Sequence, residues 1–135
     1  AFSGQIYTIL TELFNNALEH GILKLNSVSK NSTEGFSRYY KAREELLKKL
    51  VEGTIRFDLN YKGNAKGGSL TIDVVDSGCG FDYQSLNLEA RRGTYSGRGV
   101  YLIDNLCSEF EYKGAGNEVR AIYSWGEGYY LLDDV

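Results

Sequence analysis

The sequence predicts a two-layer α/β sandwich, with helices on one face of a mixed, mostly antiparallel sheet. Three observations predict it. Apolar residues recur at three- and four-residue steps over residues 3–21 and again over 36–52. From Gly53 the period drops to two, through Ile55, Phe57 and Leu59 and then Leu70, Ile72 and Val74. The resulting order is helix, helix, hairpin, loop, helix, hairpin, which places helices on one side of an antiparallel-rich sheet.

In the first helix, Ile6, Ile9, Leu10, Leu13, Ala17 and Leu18 form the buried stripe, with Ser3 as N-cap and Gly21 as C-cap. Residues 22–35 are polar and irregular. In the second helix the expected buried stripe is Phe36, Tyr39, Tyr40, Leu46, Leu47 and Leu50, and the Lys, Arg and Glu residues read as a solvated face. Thr54–Tyr61 and Ser69–Val75 are expected strands around a turn at Lys62–Gly68. Residues 76–98 read mostly as loop, with a short helix near Tyr83–Ala90. Residues 99–107 read as helix, and Glu109–Tyr112 and Glu118–Trp125 as a final hairpin. The chain contains no proline, so Gly, Asn and Ser must end its elements.

A chain of 135 residues suits one domain, and 42% hydrophobic residues suffice for a single core. A net charge of -3 lacks the basic footprint of a nucleic-acid binder. No apolar run approaches the roughly 20 residues of a membrane helix, and no signal peptide opens the sequence. Cys79 and Cys107 fit no metal or disulfide framework, which points to a reducing, cytoplasmic setting.

Three segments carry chemistry. On the first helix, Glu12, Asn16 and His20 follow one another at four-residue steps and share a face. Asn is a poor helix former, and Asn15 and Asn16 stand side by side. An Asn amide oxygen can ligate Mg²⁺, and a carboxylate one turn away can orient or deprotonate a nucleophile. By itself the segment reads equally well as a polar helix face. The second segment, Asp76-Ser77-Gly78-Cys79-Gly80-Phe81, follows a strand directly. A carboxylate there can accept from an adenine amino group, with Gly78 and Gly80 allowing close approach; alone, it also reads as a β-turn. The third is Gly93-Thr94-Tyr95-Ser96-Gly97-Arg98-Gly99, leading into Val100-Tyr101-Leu102-Ile103. A glycine-rich loop entering a helix offers backbone N–H groups to phosphates. It is neither a Walker loop nor a dinucleotide fingerprint.

In this order and spacing, Glu12–Gly21, Asp76–Phe81 and Ser96–Ile103 resemble the N, G1 and G2 boxes of the GHKL ATPases, which adopt the Bergerat fold. Asn16-Ala17-Leu18-Glu19-His20-Gly21 and Gly97-Arg98-Gly99-Val100-Tyr101-Leu102-Ile103 resemble most the bacterial anti-sigma-factor serine kinases of partner-switching systems. The resemblance implies ATP and Mg²⁺ as ligands. Asn16 would hold Mg²⁺ and Glu12 would be the catalytic carboxylate. Asp76 would read adenine beside Gly78 and Gly80. Gly97, Arg98 and Gly99 would line the phosphates, residues 84–96 would form a lid, and His20 would contact the bound nucleotide or else only pack or hydrogen-bond near the site. Gly116-Asn117-Glu118-Val119 stands where the family has Gly-Thr-x-Val; without the Thr, no nucleotide contact is expected of it.

The resemblance further implies an anti-anti-sigma-type protein substrate, a sigma factor as a further partner, and a homodimer as an accessible state, with neither nucleic acid nor membrane involved. Two departures stand out. The family's strand before the N box is missing, so the chain is expected to be a fragment of a single kinase-like domain. Residues 22–51 are long for the family and resemble versions at the C-terminus of response regulators that carry a serine phosphatase domain. Two other functions fit the same boxes: an ATP-binding module that sequesters a partner without chemistry, and a histidine-kinase catalytic domain. The latter needs a phosphoacceptor His elsewhere, because His20 is the only His here.

Overall fold

The computed structural model describes residues 2–25, 33–83 and 98–126. Helix α1 spans Phe2–Asn16 and continues into a π-helical turn, Ala17–Ile22. Its periodic stripe behaves as the spacing requires: Ile9, Leu13 and Ala17 are buried, with Ile6 and Leu10 packed beside them. Ser3, the expected N-cap, lies inside the first turn of α1. Gly21, the expected C-cap, lies within the widened turn. The turn closes through Leu23 N–H donating to Leu18 O at 2.8 Å and Leu25 N–H donating to Glu19 O at 2.8 Å. The left-handed residue that ends it is Lys24, at φ 57°.

Helix α2 spans Thr33–Lys49. Here the expected apolar stripe is corrected. Tyr39 is buried, but Phe36, Tyr40, Leu46 and Leu50 are exposed. The reason is the way α2 is anchored. Glu19, in the π-helical turn and only 5% exposed, accepts from Tyr39 Oη at 2.5 Å and from Arg43 Nε at 3.1 Å. This polar clasp holds α2 by its inner face, and Phe36 and Tyr40 pack on each other at 4.7 Å instead of on the core. Apart from Arg43, the helix's described Lys, Arg and Glu residues are exposed, as the solvated-face reading expects.

The sheet contains β1 (Ile55–Asn64), β2 (Gly67–Asp76), β3 (Glu109–Lys113) and β4 (Glu118–Gly126), in the order β1-β2-β4-β3. Every pair of these neighbours is antiparallel. Helix α3, Arg98–Leu106, connects the halves across the helix-covered face. The register aligns Leu59, Ile72, Ala121 and Phe110 in one row and Phe57, Val74, Val119 and Tyr112 in another. These rows face the helices, because directly paired residues share a side. The core forms where Ile72, Val74, Ala121 and Tyr123 meet Ile9, Leu13, Ala17, Ile103 and Cys107. Burial pushes the Cys107 thiol up to about 12. Cover thins toward β1, where Leu59 is 55% and Tyr61 65% exposed.

The other sheet face is polar. Arg120 forks onto Asp73 at 2.7 and 3.1 Å, holding that carboxyl below the usual carboxylate range. Among the described residues, no helix is long and apolar enough to cross a membrane.

The clasp on Glu19 generates a prediction. Tyr39→Phe removes one donor from a buried carboxylate and should lower the unfolding free energy by roughly 1–3 kcal/mol, read from urea midpoints. An unchanged midpoint would show that α2 is not held through Glu19.

Candidate functional site

Two structural ends of one helix define the site. At the first, β2 delivers Asp76 to the helix-covered side of the sheet, where it is only 8% exposed. Its carboxylate occupies the volume that a side chain at Gly21 would fill. A Cβ on Gly21 would stand 2.6 Å from the carboxyl carbon and from both oxygens. Gly78 N–H donates to Asp76 Oδ1 at 2.8 Å, and a Cβ on Gly78 would run into the Gly21 carbonyl. Burial raises the Asp76 pKa, and the Gly78 N–H bond opposes that rise. An acceptor kept this close to an apolar core is suited to one well-aimed donor.

The Asp76–Phe81 loop is stitched to the β3–β4 turn. Asp76 N–H donates to Asn117 O at 3.0 Å, and Asn117 Nδ2 donates back to Asp76 O at 3.2 Å. Phe81 N–H donates to Ala115 O at 2.9 Å. Gly80 sits at φ 84°, a conformation that only Gly adopts freely, and any side chain there would strike the Ala115 carbonyl. Phe81 meets Tyr112 edge-on at 4.9 Å and Tyr83 lies 5.9 Å from the same ring. Burial, with the nearby Asp76 charge, pushes the Tyr112 hydroxyl up to about 12. Sequence reasoning missed this stitching. Its signal was present in an Asn that follows a turn glycine immediately before a strand.

At the second end, α1 and the start of α3 converge. A Cβ on Gly99 would collide with Glu12 Oε2 and lie 3.9 Å from Asn16 Oδ1. Asn16 Nδ2 is buried and has no hydrogen-bond partner. A buried, unmade amide bond costs roughly 1–3 kcal/mol, which a bound oxygen acceptor would offset. Glu12, Asn16, Gly21 and Asp76 therefore lie along one wall. Its ends are nine residues apart along α1 and the π-helical turn.

His20 Nδ1 bonds to Leu25 O at 2.8 Å, and since a carbonyl only accepts, Nδ1 carries the proton. It braces the chain leaving the π-helical turn. A cleft of about 540 Å³ opens beside Asp76, lined by Gly21, Lys24, Thr54, Ser77, Gly78 and Cys79, among others. Gly78 and Gly99 thus lie at the two ends, and Gly80 shapes the loop. Gly97 and residues 84–96, expected on the phosphates and as a lid, lie outside the described residues. Arg98 opens α3, and its side chain also lies outside them. Among the described residues, no three His, Cys, Asp or Glu side chains converge as a metal cluster. The oxygen donors near Gly99 fit instead a cation that takes one or two protein ligands and completes its shell with phosphate and water.

A family model described as a histidine kinase-like ATPase domain matches residues 40–123. The match contains Asp76–Phe81 and the start of α3 but not α1. Comparison with the curated proteins and with the solved structures gives no match.

The packing of Asp76 against Gly21 gives the next prediction. Gly21→Ala must displace a buried carboxylate, so ATP affinity should fall by at least about tenfold, one lost charged hydrogen bond being worth roughly 1.5–3 kcal/mol. Calorimetry on the folded variant reads it, and unchanged affinity would separate Gly21 from the site. Acidification gives a second expectation. The raised Asp76 pKa means that the folded chain takes up its proton above the ordinary carboxylate range. Folded-state stability from this group therefore declines as pH rises through that window. With Asp76 as the acceptor of the adenine amine, ATP should bind less tightly as pH falls through the same window, and Asp76→Asn should abolish that inflection.

Proposed function

The chain belongs to the histidine kinase-like ATPase domains, an ATP-binding family, and from that membership we propose that it is a protein serine kinase. Its substrate would be an anti-anti-sigma-type protein, and its output the control of a sigma factor by partner switching. The supporting observation is the convergence of Glu12 and Asn16 on Gly99, while Asp76 stands at the far end of the same wall.

In this reading, ATP lies along α1. Asp76 accepts from the adenine amine, a group that guanine replaces with a carbonyl. Asn16 would hold Mg²⁺ through its amide oxygen, with its NH₂ free to donate to a phosphate oxygen. Mg²⁺, when bound, neutralises charge on the phosphates. The α3 N-terminus at Arg98 and Gly99 presents backbone N–H groups to the phosphates. Glu12 orients the acceptor serine and takes its hydroxyl proton. Serine oxygen then bonds to the γ-phosphorus as the bond to the β–γ bridging oxygen breaks, and ADP leaves. Catalysis of this kind is chiefly positioning and electrostatic stabilisation.

Two substitutions four residues apart should behave differently. Asn16→Ala should severely weaken binding of ATP with Mg²⁺. Glu12→Gln keeps size and shape, so ATP affinity should hold while phosphoryl transfer falls by roughly 10²–10⁴-fold. Radiolabelled transfer to partner proteins, paired with calorimetry, reads both. Transfer at the wild-type rate by Glu12→Gln would remove Glu12 from the chemistry. ATP-dependent partner binding by a wild-type chain that transfers nothing would replace the kinase with a sequestering module.

A further inference from the structure

The β3–β4 turn holds Asp76 by its backbone. Asn117 touches the Asp76 residue twice, once through each of its own polar ends. Its backbone oxygen accepts from Asp76 N–H at 3.0 Å, and its side-chain NH₂ donates to Asp76 O at 3.2 Å. The peptide units on both sides of Asp76 are therefore fixed by one residue, 41 positions away in sequence. The carboxylate has little freedom beyond this. Gly78 N–H takes Oδ1, and Gly21 closes the space behind it. Next to the clasp, Gly116 packs so tightly on Phe81 that a Cβ there would lie 2.5 Å from the Phe81 oxygen and 2.7 Å from its nitrogen. The turn thus cannot drift without moving the loop.

We propose that Asn117 is the positioning residue for Asp76: clasping the Asp76 backbone from both sides, its side chain sets where the carboxylate meets the exocyclic amine of adenine, and so sets base selectivity. This rests on the reading of Asp76 as the adenine acceptor. Asn117 itself touches no base. Its contribution is orientation, because charged hydrogen bonds weaken steeply when misaligned. An Asn suits the task because one short side chain supplies a donor while its backbone supplies an acceptor.

The test compares ATP with purine riboside triphosphate, which keeps ring, ribose and phosphates and lacks the amine. Dissociation constants are measured by calorimetry with Mg²⁺ for wild type, Asn117→Ala, Asn117→Asp and Asp76→Asn. Asn117→Ala should weaken ATP about tenfold, the scale of one misaimed charged hydrogen bond. The amine-free nucleotide should be unaffected. Asn117→Asp keeps the shape and loses the donor, so it should show the same selective loss. A variant that merely loosened the fold would weaken both nucleotides alike, and that result overturns the proposal, as does no loss for either. Asp76→Asn separates the two claims. If it spares the preference for ATP, the adenine-acceptor reading fails. If it removes the preference while both folded Asn117 variants keep it, only the present proposal fails. A measurement on the wild-type chain does not depend on the variants folding. The Asn117 side-chain NH₂ should exchange with solvent more slowly in the ATP complex than in the amine-free complex, and equal exchange overturns the proposal.

Discussion

A carboxylate can be buried at Asp76 only because Gly21 and Gly78 have no side chains. The constraint runs both ways. α1 must bring its end within van der Waals contact of the strand end, and the loop after β2 must turn back tightly enough to donate one N–H. The π-helical turn meets the first demand, since widening the helix after Asn16 carries Gly21 against Asp76 without shifting Glu12 or Asn16 from the wall near Gly99. The sheet register meets the second, since β2 and β4 stay paired up to Val75 and the turn after β3 falls beside the loop.

α2 has its place in this arrangement through Glu19. That residue lies between Asn16 and Gly21, inside the widened turn, and donors from α2 satisfy its charge. A buried carboxylate without those donors would be costly. The turn that shapes the site is therefore stabilised from outside the helix–sheet core. Helix α2, which lies in a stretch that looks like an insertion in the sequence, is tied to the functional wall by polar bonds to Glu19. Burial and the Glu19 carboxylate likewise push the Tyr39 hydroxyl above the ordinary phenol range.

Much of the fold was legible in the sequence, for specific reasons. Ile9, Leu13 and Ala17 follow a helical period, and Ile72 and Val74 a strand period, and all five are buried. The glycines of the site were legible as types, although Gly21 is needed for space beside Asp76 and not for a helix cap. What the sequence hid was long-range and polar. Nothing local to Glu19 announces Tyr39 and Arg43 as partners, and nothing local to Asp76 announces Asn117. The stripe on α2 misled because amphipathic spacing shows that a helix has an apolar face, not that another element covers it.

The β1 edge carries a consequence for handling the protein. Ten residues long, with Leu59 and Tyr61 exposed, it ends the sheet without a fifth strand among the described residues. Such edges recruit other strands and seed fibrils unless charges interrupt them. Arg56, Asp58 and Lys62 alternate with the apolar residues and supply that interruption, Arg56 and Asp58 as an exposed pair at 3.2 Å. With a sequence pI near 5.2, mildly acidic buffers remove the net repulsion that keeps copies apart. Concentrated stocks are therefore expected to stay clear at neutral pH and to turn turbid first near the isoelectric point, with β1 as the seam along which the chains join.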